Sequence, residues 1–113
     1  MSNEQIRAIE ENIKEAKKIA DFGTVLERLQ ANRDFKQVII DGYFKEEAIR
    51  LVHLKAEPSC QTPDIQRSII AQMDSIGNLS KYFQTVYFKA YQARKAIGID
   101  EEAHAELLAE GDE

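Results

Sequence analysis

Cysteine occurs once in these 113 residues, at Cys60, proline twice and glycine five times. A single cysteine excludes an internal disulfide and suits a reducing interior. So few glycines and prolines leave little chain for the turns of an all-β fold. No apolar run approaches the roughly 20 residues that cross a bilayer, and no membrane contact is expected. Met1-Ser2-Asn3-Glu4-Gln5 has neither the basic nor the apolar region of a secretory leader, so none is expected. All five glycines stand alone, which excludes a glycine-rich phosphate cradle.

Chemistry-bearing residues are equally sparse. His53 and His104 are the only histidines, and neither has the spacing that clamps zinc. His53 reads as a boundary residue on a helix and His104 as solvated among acids. Cys60, between Ser59 and Gln61, has no base nearby in sequence and reads as an exposed loop position. Glu46-Glu47 lacks the apolar burial that would raise a carboxylate pKa. No catalytic residue, metal site or cofactor is expected, and the chain is not expected to be an enzyme.

What is present is helix periodicity. At 113 residues, with 43% apolar and 31% charged residues, the chain fits one soluble, helix-rich domain. Ile69, Met73, Ile76, Leu79, Phe83, Val86, Ala90, Ala93 and Ile97 recur at steps of three and four, the stripe of a helix with one buried face. A straight helix of about 35 residues spans roughly 52 Å. A compact globule of this size is only roughly 34 Å across. The stripe must therefore break at Gly77-Asn78, or protrude and be covered by another chain.

Around that helix the signals are local. Ser2 or Asn3 should cap a first helix with Ile6, Ile9, Ile13, Ala16 and Ala20 as a narrow, coiled-coil-like seam between charged flanks. Gly23-Thr24 interrupts it, and Thr24 can cap a second helix carrying Val25, Leu26 and Leu29. Asn32-Arg33-Asp34 is another cap, before Phe35, Val38, Ile39 and Ile40 in a short helix that Gly42 can end. Tyr43 to Lys55 forms the next helix, with Phe44, Ala48, Leu51, Val52 and Leu54 apolar. Pro58 marks a loop, and Thr62-Pro63-Asp64 restarts the long helix in the favoured order of hydroxyl cap, proline and acid. Gly98 should stop it, with Asp100 capping a last short helix through Ala103, Leu107 and Leu108.

The predicted fold is all-α: a short-helix unit packed on one long C-terminal helix, kinked or unbroken at Gly77, with an N-terminal helical arm. One domain, 1–113, would comprise the arm (1–22), a core (24–97) and an acidic C-terminal segment (98–113). Burying Ile65, Ile69, Met73, Ile76, Phe83 and Val86 should contribute about 1.5–3 kcal/mol each before conformational entropy is subtracted.

Charge is uneven beneath the net −5. Of the 20 acids, seven (Asp100, Glu101, Glu102, Glu106, Glu110, Asp112 and Glu113) lie in the last 14 residues, which leaves 13 against 15 basic residues before them. Between Ser75 and Ile99 there are four basic residues, Lys81, Lys89, Arg94 and Lys95, and no acid. The acidic end reads either as a solubilising terminus or as a tail that docks on a basic partner. Five of the nine aromatics fall between Tyr82 and Tyr91. Aromatics among basic residues can stack bases and neutralise phosphates. At a pI near 5.1, packing is favoured over DNA contact, and nucleic acid is not expected as a partner. Phe83, Tyr87, Phe88 and Tyr91, with the seam Ile6, Ile9 and Ile13, are instead the candidate protein interface, and self-association is expected.

Three stretches carry a resemblance: Leu26-Glu27-Arg28-Leu29 through Asn32-Arg33-Asp34-Phe35; Gly42-Tyr43-Phe44-Lys45-Glu46-Glu47-Ala48-Ile49-Arg50-Leu51; and Gln72-Met73-Asp74-Ser75-Ile76-Gly77-Asn78-Leu79 with Tyr82-Phe83. Across residues 25–97 the chain resembles small, mostly uncharacterised helical proteins of tailed bacteriophages, often encoded near head-assembly genes. The resemblance implies a non-enzymatic virion or morphogenesis protein, made in the host bacterial cytoplasm during infection and either incorporated in the virion or helping to build it. Its partners would be copies of itself or a larger phage structural protein. The alternative is a small regulatory protein that binds and inhibits or redirects a host or phage enzyme through the acidic tail, as a mimic of a phosphate run.

Overall fold

Thr62 caps the long helix as its sequence predicts: its hydroxyl accepts from the Ile65 N–H at 3.4 Å, with Pro63 at the first helical position. The computed structural model describes residues 2–111, with side chains from Asn3 onward. Asp112 and Glu113 of the acidic segment lie outside the described residues. Four elements of α-helix follow in order, α1 (Ser2–Ala31), α2 (Arg33–Phe35), α3 (Ala48–Ala56) and α4 (Pro63–Gly111), with a π-helical segment (Lys36–Glu47) before α3 and a 3-10 turn (Pro58–Cys60) after it. The described residues contain no strand; the protein is all-α. The chain forms two compact units, one of residues 1–26 and 85–113, the other of 27–84.

In unit 27–84 the core is Leu51, fully buried, with Ile69 and Ile76; Tyr43, Phe44, Ala48, Leu54, Cys60 and Met73 pack around it. Asn32 Oδ1 accepts from the Phe35 N–H at 3.0 Å, the predicted cap. The loop after α3 is fastened by two glutamines. Gln61 Nε2 donates to the carbonyls of Lys55 (2.9 Å) and Glu57 (2.7 Å), and Gln66 Nε2 to those of Lys55 (3.0 Å) and Cys60 (2.8 Å). These bonds satisfy carbonyls that a helix end leaves open. Cys60 is thereby half-buried against the core, not an exposed loop residue.

Some local expectations change here, and the alternative left open at Gly77 is decided. Gly42 does not end a helix; it lies inside the π-helical segment, whose bonds run from residue i to i+5. A Cβ at Gly42 would stand 3.2 Å from the Gln37 carbonyl oxygen, five residues back, so the wider turn leaves little room for a side chain. Half-buried positions in the segment are 39, 40, 42–44 and 47, and Val38, expected on the apolar face, is 65% exposed. Val52 and Ile65, predicted as apolar contacts, are also exposed. Finally, α4 runs unbroken through Gly77-Asn78. One glycine costs a helix only about 1 kcal/mol, less than the packing of Met73 and Ile76 beside it returns.

In unit 1–26/85–113, α1 and α4 run antiparallel. Ala16, Ala20 and Ala93 form the buried cluster with Ile97 against it, and Leu26, Val86 and Ala90 are buried as well. Neither predicted interruption occurs. Gly23-Thr24 continues α1, and the Thr24 hydroxyl donates to the Ala20 carbonyl within the helix (3.3 Å) rather than capping a new one. Gly98 continues α4 to Gly111, so the predicted short last helix is part of the long one.

Candidate interaction surface

Gly23 explains the closeness of the helix pair. A Cβ built there would stand 2.4 Å from the Ala90 Cβ, so only a glycine fits against the fully buried Ala90. Small side chains along both helices let the backbones approach, and the polar edges are then bridged. Arg94 donates to the Thr24 hydroxyl (3.2 Å) and the Ala20 carbonyl (3.5 Å), Lys17 lies 3.7 Å from Glu101, and His104 Nε2 lies 3.0 Å from Glu10 Oε1.

The seam residues Ile6, Ile9 and Ile13 are half-buried, and Ile9 lines a hollow with Ala103 and Leu107. The predicted N-terminal seam thus lies beside the end of α4 in the same chain and stays half-exposed. The acidic segment is likewise helical from Asp100 to Gly111, not a free tail. Asp100 is half-buried, Glu101 faces Lys17, and Glu102, Glu106 and Glu110 are exposed. His104, expected to be solvated, is half-buried against Glu10, whereas His53, expected at a boundary, is exposed.

The four aromatic candidates separate. Phe83, in unit 27–84, is half-buried, with ring centroids 5.7 Å from Phe44 and 6.2 Å from Phe35, and serves that unit's own packing. Tyr87 is half-buried. Phe88 and Tyr91 are 60% and 58% exposed, and the Lys95 ammonium sits 5.4 Å from the Tyr91 ring centroid.

Sequence reasoning missed Ile19, Phe22 and Ile99, exposed residues of unit 1–26/85–113, and placed Val25 and Leu108, exposed as well, on apolar faces. Ile19 and Phe22 are three apart and share a face of α1 next to the buried one. Treating Gly23 as a break hid that face. Ile19 borders a groove of about 600 Å³ whose floor includes Ala16, Ala93 and Ala96 and whose rim carries Glu15, Lys89 and Asp100.

Among the described residues, no three of His, Cys, Asp and Glu gather to hold a metal ion, and no helix is long and apolar enough to cross a membrane. The arrangement offers packing surface and charge. Compared with protein-family models, curated proteins and solved structures, the chain matches none.

Proposed function

We propose that the protein is a non-enzymatic component or assembly factor of a tailed bacteriophage particle that acts by helix-mediated contact with other protein. One observation carries the contact reading. In unit 1–26/85–113 the helix pair buries alanines at its seam and turns Ile19, Phe22, Phe88, Tyr91 and Ile99 to the surface. Large apolar side chains left outside a seam of small ones suit a surface that another polypeptide covers. Aromatic anchors such as Phe88 and Tyr91 supply the largest contact area for the least lost side-chain freedom. The resemblance across residues 25–97 supports the phage assignment.

Purified particles of a phage that encodes the protein, and its assembly intermediates, provide the test. Mass spectrometry should find the chain in one or the other. Its absence from both, with normal particle yield after deletion of its coding sequence, would refute the assignment.

A further inference from the structure

The outer face of α4 narrows the choice of partner, on the reading that the protein works by helix-mediated contact. Phe88, Tyr91 and Lys95 step by three and four along this face; Glu102, Glu106 and Ala109 step by four and three. All six are exposed, on the side of α4 away from the buried Ala90 and Ala93. Reversing the helix returns the same spacing, about a point between Gly98 and Ile99.

We infer that α4 docks antiparallel on α4 of a second copy through this face, with the two-fold axis passing between Gly98 and Ile99. The pairing sets Lys95 opposite Glu102 of the second copy, Tyr91 opposite Glu106 and Phe88 opposite Ala109, and repeats each contact by symmetry. An ammonium meets a carboxylate, a phenol O–H meets an acceptor, and a ring meets a small methyl. The charge order of the helix, basic from Lys89 to Lys95 and acidic from Asp100 to Glu110, is matched only when the second helix runs the other way.

Gly98 fits this pairing. A Cβ there would meet nothing within 4 Å, and its backbone has no positive φ. Neither packing within the chain nor backbone conformation requires a glycine, and glycine is a poor helix former. In the pairing it lies opposite Ile99, at 67% the most exposed large apolar residue among the described residues, and its bare backbone is the seat for that side chain. The 21 residue steps from Phe88 to Ala109 span roughly 32 Å of one helix face. So narrow a strip places the interface among small, transient ones, and the dimer is weak and salt-sensitive.

Sedimentation equilibrium on the full chain at low and high salt tests this. Wild type should dimerise at low salt and dissociate as salt rises. Lys95→Glu should weaken the dimer by about tenfold, since two ion pairs become two repulsions, and Glu102→Lys should do the same. The double variant Lys95→Glu/Glu102→Lys should recover wild-type affinity. Gly98→Gln should reduce association while circular dichroism shows helix content equal to or above wild type, which separates the interface from the fold. A wild type that stays monomeric up to its solubility limit would overturn the proposal, as would a dimer indifferent to both charge reversals. Finding the chain in phage particles in either of those cases would leave the proposed function standing with a different partner.

Discussion

Gly23 and Ala90 stand at the closest approach of α1 and α4, where an added methyl on the glycine would come within 2.4 Å of the alanine Cβ. Gly23→Ala should therefore lower stability, by about 1–3 kcal/mol of overpacking set against about 1 kcal/mol of improved helix propensity. Gly77→Ala, where an added methyl meets nothing within 4 Å, should raise it by about 0.5–1 kcal/mol. Urea unfolding of the two variants reads the contrast directly, and equal shifts would contradict the close packing described.

Leu51 is fully buried and organises unit 27–84. Leu51→Ala should cost about 2–5 kcal/mol through lost transfer energy and the cavity left behind. Val52→Ala, one position on but 56% exposed, should cost well under that, within about 0.5 kcal/mol. Thermal unfolding followed by circular dichroism distinguishes them, and comparable losses would mean the face assignment of α3 is wrong.

Phe83 and Phe88 lie five residues apart but have different work. Phe83→Ala removes the ring contacts to Phe35 and Phe44 and should destabilise by about 2–4 kcal/mol, reaching below the usual cost of phenylalanine truncation because the ring is only half-buried. Phe88→Ala should leave monomer stability within about 0.5 kcal/mol of wild type. Denaturation at a concentration low enough to exclude association gives both numbers. A large loss for Phe88→Ala would remove it from the surface.

Removing residues 98–113 should do more than strip charge. Half-buried Ile9 lines its hollow with Ala103 and Leu107, so truncation leaves the first three turns of α1 without a partner. Unpartnered helix of that length is marginal in water. Hydrogen exchange should accelerate from Asn3 to Ile13 in the truncated chain while the amides around Leu51 stay protected. Unchanged protection at the N-terminal end would restore the picture of a detached acidic tail.

Gly42→Ala reports on the π-helical segment. In an ordinary α-turn the change would stabilise, but here the new methyl presses at 3.2 Å on the Gln37 carbonyl oxygen. The expected result is a loss of up to about 1 kcal/mol, with faster exchange confined to residues 36–47. A gain in stability would indicate that the segment has ordinary α-helical hydrogen bonds.

Much of this fold is written in local signals. Asn32 and Thr62-Pro63 announce their helices because capping depends on side chains a few residues away, and the stripe from Ile69 to Ile97 names the buried side of α4 because helix period is also local. The misreadings sit at glycines. Gly23 and Gly98 look like stops, since propensity disfavours them, and both lie inside helices because packing outweighs about 1 kcal/mol. Gly23 in fact reflects a contact 67 positions away, which no window of sequence contains. The π-helical turns escaped for a related reason: a bonding pattern shifted by one residue moves Val38 outward without any change in composition. Of the candidate surface, Phe88 and Tyr91 were legible as aromatics that widen the apolar stripe of α4 beyond its buried line. Ile19 and Phe22 were not, because they require α1 to be read through Gly23 as one helix.

The turns between Lys36 and Glu47 hold their carbonyls one residue further along than α-helix does, which amounts to spare chain wound into the segment. Shortening this segment by a single amino acid can be absorbed by tightening a coil, with α3 still meeting Ile69 and Ile76. The same loss inside α4 would swing everything beyond it by about 100° and turn its stripe away from α1. Tolerance to gain and loss of residues should therefore be concentrated in this short stretch of the molecule.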